Sequence, residues 1–310
     1  MENTRAKTTR NSLILLLTAT IWGMAFVSQS KGMDYMHPFT FNGVRSLIGA
    51  AGILVYILIS RKIAGDKAAK LDWKLNVKAG LLCGIFLTIA STLQQFGIKY
   101  TSVGKAGFIT TLYIIFVPMF GVFLKKKVAP VVWAAAGMAA VGLYMLCMTE
   151  SLRLGAGDIM VFLCAIAFAI QIMTVDHYAA RIDGAVVSCI QFTVCGVVCC
   201  IGALIWGQPT FGQIQEGLGA LLYAGVLSCG VGYTLQIVGQ KGLNPTVAAL
   251  IMSLESVIAT ISGWIAYKIG FLSTDQTLTP RQIAGCVIVF AAVILVQLPP
   301  EWFRFGKKND

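Results

Sequence analysis

The residues able to do chemistry sit where a membrane tolerates them least. Glu255 lies near the middle of an apolar run over 244–267, roughly 17 Å from either end at 1.5 Å per residue. A charge at that depth costs at least about 2.5–3.5 kcal/mol on insertion scales, so such groups face a cavity or a partner. A carboxyl group there can bind a cationic group or take up a proton; the alternative is a protonated acid hydrogen-bonded between helices. Arg45 lies in the run over 39–59, roughly 9 Å from its outer end. It can hold an anionic group, clamp two helices, or snorkel to the headgroups. Gln94, Gln171, Gln191 and Gln236 bring amides into apolar runs. Each needs an interhelical partner, or contacts a substrate or gate. Trp22, Tyr113 and Tyr233 can wall a site or simply pack. With Glu255, an aromatic box suits a primary or quaternary ammonium through cation–π attraction.

Other chemistries find no support. The nine cysteines all fall in apolar runs. Cys195 and Cys199 share a helical face, but His37 and His177 lie near helix ends, so the thiols read as packing groups rather than metal ligands. Gly104-Lys105 resembles part of a phosphate-binding loop. However, Lys99 occupies the first glycine position and Ala106 replaces the Ser/Thr. Neither H-E-x-x-H nor G-x-S-x-G occurs. No enzymatic activity and no cofactor are expected, and the repeated filter or charged ring of a channel is lacking.

The elements that position these groups follow from composition. Of 310 residues, 57% are hydrophobic and 12% charged, and the mean hydropathy is +0.79. Soluble domains carry about 45–50% apolar and about 25% charged residues. So little charge cannot cover a water-facing surface, and the solvent must be lipid. Ten apolar runs near the roughly 20 residues that a membrane helix needs occupy 12–31, 39–59, 77–98, 103–124, 129–148, 157–176, 185–206, 218–240, 244–267 and 281–298. The fold expected is an all-α polytopic membrane protein. The net charge of +11 divides unevenly on this topology: seventeen of the 24 Lys and Arg residues fall on the side of the N-terminus and six on the other. That bias places both termini in the cytoplasm and removes nucleic acid as a partner. The first run is long for a signal peptide and has no A-x-A-like site after it, so it reads as a retained helix. Trp73, Trp302 and Phe303 read as interfacial anchors. Gly80 and Gly84 fit close helix packing, and Asn244-Pro245 fits the start of the ninth helix.

The chain also matches itself. Residues 93–124 lie over 235–266 at an offset of 142, with Leu93/Leu235, Gln94/Gln236, Gly97/Gly239 and Lys99/Lys241 identical. A weaker match at an offset of 146 lays the first two helices over the sixth and seventh, pairing Trp22 with Phe168 and Arg45 with Gln191. Each repeat, 1–149 and 150–310, therefore holds five helices. Five is odd, so the second copy enters the membrane inverted. Inverted repeats are a transporter architecture with the substrate site near the midplane at the repeat interface. On that axis Tyr113, the mate of Glu255, should come close to it.

Trp22-Gly23, Arg45 after Pro38-Phe39, the segment Gln94–Pro118 and the segment Ala248–Val257 together resemble the drug/metabolite transporter superfamily in its ten-helix EamA-type branch. Two positions depart from the pattern: Ser256 stands where the family commonly has proline, and Gln276 where it has an acidic residue. The resemblance implies ten helices in two inverted repeats moving a small metabolite. The reading reached is a secondary active transporter of a small polar metabolite, an amino acid or related amine, in the cell membrane. The alternative is an exporter of lipophilic compounds or a lipid-handling membrane enzyme. Expected partners are the small-molecule substrate and membrane lipids, and a homodimer is compatible with the chain.

Overall fold

Short polar residues set where the helices begin. His37 precedes Pro38, and its Nδ1 accepts the Phe39 N–H. Asp72 accepts the Leu75 N–H, Asp183 accepts those of Ala185 and Val186, and Asn244 before Pro245 accepts that of Thr246. Each satisfies amide groups that a helix N-terminus leaves unpaired. The computed structural model describes residues 2–65, 71–101, 103–125, 128–147, 155–272 and 277–297, and among them every regular element is helical. The join between the repeats, Trp302, Phe303 and Gln276 lie outside the described residues.

We number the membrane helices α1 (Glu2–Gly32), α2 (Pro38–Ala64), α3 (Trp73–Tyr100), α4 (Val103–Thr111 and Tyr113–Phe123), α5 (Pro130–Cys147), α6 (Ala156–Tyr178) and α7 (Gly184–Gly202, continuing as a π-helix over Ala203–Gly207). They continue with α8 (Leu218–Leu222, a π-helix over Tyr223–Gly232, then Tyr233–Gln240), α9 (Pro245–Met252 and Leu254–Lys268) and α10 (Pro280–Gln297). Among the described residues eight helices are long and apolar enough to cross a membrane, and α5 and α10 are shorter apolar helices.

Two departures from plain helices bear on the site. α4 and α9 are each interrupted, at Leu112 and Ser253, which nearly coincide under the 142 offset. Hydroxyls bond back to the helix at both places: Thr111 donates to the Gly107 and Phe108 carbonyls, and Ser253 to that of Leu250. Such back-bonding competes with the helix ladder and bends it. Ser256 donates to the carbonyl of Ser253 at 2.8 Å, just past the interruption. The second departure is the π segment of α8. Gly225 there approaches α2 so closely that a Cβ would stand 2.9 Å from the Arg45 carbonyl.

Packing follows a two-fold pattern. α3 packs on α6 as α8 packs on α1; α1 packs on α9 as α6 packs on α4; α3 packs on α7 as α8 packs on α2. The pairs α2–α7 and α5–α10 are their own mates. Ten helices in two related groups of five make the second group inverted, as the odd number requires. Lipid tails give helices no hydrophobic reason to associate, so close van der Waals approach holds the bundle. At Gly80 a Cβ would stand 2.6 Å from Cβ of Ile190 on α7, and at Gly84 2.9 Å from that of Val194. Gly80→Val should therefore wedge α3 from α7 and lower stability by about 1–3 kcal/mol. An unchanged thermal midpoint for this variant in detergent would contradict the packing described.

Candidate functional site

α3 presents Leu87, Ser91 and Gln94 on one face, at spacings of four and three. Its mate α8 presents Cys229, Tyr233 and Gln236 at the same spacings. Both faces meet in one central cavity of about 40 Å³, room for a few water molecules. The repeat relates most of its wall. At the offset of 142, Leu87 pairs with Cys229, Ser91 with Tyr233, Gln94 with Gln236 and Tyr113 with Glu255. At the offset of 146, Trp22 pairs with Phe168, Phe26 with Ile172 and Ser46 with Phe192. A cavity lined by residues and their own repeat mates lies on the pseudo-two-fold axis.

Its sharpest contact crosses that axis. The Tyr113 hydroxyl donates to Glu255 Oε1 at 3.0 Å, and both residues are buried. Tyr113 is the first residue of the half-helix beyond the interruption of α4, and Glu255 the second residue of that in α9. Glu255 thus stands in a first turn, where the helix dipole favours negative charge. The repeat therefore brings this pair together as the sequence reading expected.

Arg45 also lines the cavity and is 6% exposed, so it does not snorkel. The part of α2 that carries it is enclosed by α7 and α8, through the close approaches of Gly43 to Cys200 and of Gly225 to the Arg45 carbonyl. The guanidinium lies 5.4 Å from the Phe41 ring centroid, and its Nε has no hydrogen-bond partner. A guanidinium and a carboxyl group, those of Arg45 and Glu255, thus line one small space.

Trp22, Tyr233 and Phe192 make an aromatic wall, with centroids 4.5 Å apart for Trp22–Tyr233 and 5.0 Å for Phe192–Tyr233. The amides divide. Gln94 donates to Thr110 at 3.2 Å and Gln236 to Gln171 at 3.3 Å, and all four line the cavity. Gln191 does not. It is fully buried on α7 where Gly84 lets α3 approach its Cα, and neither end of its amide is hydrogen-bonded. Its mate Arg45 has the reach to enter the cavity, whereas a glutamine at the related position falls behind the wall. Among the lining residues that the sequence reading missed are Phe26, Ser46, Leu87, Ser91, Phe192 and Cys229. The four-and-three spacing shared by α3 and α8 is the signal that would have found the α3 and α8 members of that set.

At the end of the bundle away from the N-terminus, His37 stacks on Phe39 before α2 enters the membrane. Burial, and then the nearby Lys99 charge, push its pKa below the ordinary histidine value. The ring is held neutral, which suits its aromatic neighbours.

A family model described as the EamA-like transporter family matches residues 10–148 and 155–298, once on each half. A protein of Archaeoglobus fulgidus named as an uncharacterized transporter is 28% identical over 290 residues, covering 92% of this chain and 84% of its own. The uncharacterized transporter YwfM of Bacillus subtilis is 24% identical over 295 residues, covering 94% of each. A solved crystal structure superposes with a TM-score of 0.73 at 16% identity, over 96% of this chain and 99% of the other, which speaks for the fold alone. With both halves matched and the inverted packing in place, the chain belongs to the EamA-like transporter family and is an integral membrane protein, with eight membrane-length helices and two shorter apolar ones among the described residues.

Proposed function

We propose that this protein is a secondary active transporter that moves a small polar metabolite, an amino acid or a related amine, across the cell membrane by alternating access. The observation that carries the reading is that the Arg45 guanidinium and the Glu255 carboxyl group line one cavity on the repeat axis. Arg45 holds the substrate carboxylate, Glu255 the ammonium, and Trp22, Phe168, Phe192 and Tyr233 cover the carbon skeleton. Gln94, Gln171 and Gln236 orient polar side groups. The cavity of about 40 Å³ has room for a few water molecules, less than an amino acid needs. The two halves must part to admit one. Because they are related by symmetry, the arrangement that opens one face has a mate that opens the other.

Glu255 couples the cycle to a proton gradient. Anionic, it accepts the Tyr113 hydroxyl and attracts an ammonium group; protonated, it loses that attraction and releases the substrate. No step needs a cofactor or a covalent intermediate, so the protein is not an enzyme on this reading. The excess of Lys and Arg on the N-terminal side supports cytoplasmic termini. The repeats are assigned to 1–149 and 150–310, and a homodimer is compatible with the arrangement.

Thermal unfolding of the purified protein against amino acids, quaternary amines, purines and sugar phosphates tests the proposal. A ligand that binds only the folded state stabilises by RT ln(1 + [L]/Kd). Amino acids or their amines should raise the midpoint, and at the same ligand concentration the shift should shrink in Glu255→Gln and in Tyr113→Ala. A flat panel would remove the case for this cargo and turn attention to lipophilic compounds.

A further inference from the structure

The repeat also relates an aromatic plug to an open groove. At the end away from the N-terminus, Phe39 is the hub of a cluster, with ring centroids 5.7 Å from His37, 5.1 Å from Phe96 and 5.6 Å from Trp206. The repeat offsets carry these four positions onto Ala185, Asp183, Val238 and Ser60 at the opposite end. All four line a groove of about 620 Å³. Where one half stacks rings, the other leaves space.

The chemistry of that groove is cationic at its rim and apolar along its side. Arg61, Arg181 and Lys241 line it. Lys241 is held there by donating to the Ile182 carbonyl at 3.1 Å, and Arg181 lies 5.9 Å from the Tyr178 ring centroid. Two carboxylates also line it, but Asp72 and Asp183 each accept helix N–H groups. Tyr56 is 60% exposed on the same stretch of α2, so the groove opens sideways to lipid.

It is not the mouth of the central cavity. On α8, Tyr233 and Gln236 face the cavity, whereas Thr234, Val238 and Lys241 face the groove. The latter recur at four and three residues on a face roughly 100° around the helix. The backbone of α8 stands between the two spaces.

We propose that this groove is a binding site for an anionic phospholipid, with its phosphate among Arg61, Arg181 and Lys241 and an acyl chain along Tyr56 and Ile57. Basic grooves between membrane helices suit such headgroups, and arginine forks match phosphate oxygens. The charge bias places this end in the cytoplasm, so the lipid belongs to the inner leaflet.

The test is the thermal midpoint of the full-length protein in neutral detergent with added phosphatidylglycerol, phosphatidylcholine or inorganic phosphate. Phosphatidylglycerol is expected to raise it by roughly 3–8 °C at saturation, and the other two to leave it within error. An equal rise with phosphatidylcholine would overturn the charge selection, and an equal rise with inorganic phosphate would make this a small-anion site. The triple variant Arg61→Gln, Arg181→Gln, Lys241→Gln should lose the shift. Should that variant not fold, Ala185→Phe with Val238→Phe decides, because it rebuilds the aromatic plug without touching a charge. A phosphatidylglycerol shift that survives in the plugged variant contradicts the proposal.

Discussion

In proteoliposomes, Glu255→Gln is expected to abolish uptake driven by a pH gradient while leaving counterflow exchange of the same substrate. Glutamine keeps the shape of the side chain and still accepts the Tyr113 hydroxyl, whose bond to Glu255 measures 3.0 Å. What it cannot do is gain and lose a proton. If the carboxyl group carries the coupling proton, driven transport collapses, whereas exchange, which needs binding and closure alone, persists. Glutamine also offers an ammonium group a neutral amide oxygen in place of a carboxylate. A hydrogen bond to a charged group contributes about 1.5–3 kcal/mol, so exchange should require about ten- to a hundredfold more substrate. Retention of both activities would remove Glu255 from the cycle. Loss of both, with the fold intact, would make it a binding residue without a coupling role.

Arg45→Met separates the two ends of the substrate. Methionine preserves the unbranched apolar stem and removes the charge. If the guanidinium holds a carboxylate, affinity for amino acids falls about ten- to a hundredfold, the value of about 1.5–3 kcal/mol for a charged hydrogen bond. Affinity for the corresponding decarboxylated amine should stay within about threefold, a shift under 1 kcal/mol. Isothermal titration of both ligands against wild type and variant makes the comparison. Equal losses for acid and amine would assign Arg45 to the architecture, where its cation lies over Phe41 and its carbonyl faces Gly225.

Much of this arrangement was legible in the sequence because the chain states it twice. The offset of 142 joined Tyr113 to Glu255 before any geometry was known, and the two do meet. The ten apolar runs match the ten helices because membrane thickness fixes their length. The interruptions were not legible. Neither Leu112 nor Ser253 is a glycine or proline, and the hydroxyl-to-carbonyl bonds of Thr111 and Ser253 can form in a straight helix as well. Depth along a helix was readable, but direction around it was not. Arg45 was near enough to the surface to snorkel, yet the packing of α2 against α7 and α8 turns it inward. Gln191, its mate, was grouped with the cavity as one more amide in an apolar run, and an apolar run leaves the direction of a side chain free. The π segment of α8 depends on how closely α2 approaches Gly225, a tertiary fact with no local pattern.

The most direct test of the central claim is a structure of the protein with the ligand that the thermal panel selects. The account predicts ligand density on the repeat axis, with a cationic group within hydrogen-bonding distance of Glu255 and an anionic group at Arg45, between the faces of Ser91 and Tyr233. Density elsewhere would contradict it, most tellingly in the apolar groove of about 600 Å³ that Ser28, Ile258 and Ile265 line on the lipid-facing side of α1 and α9.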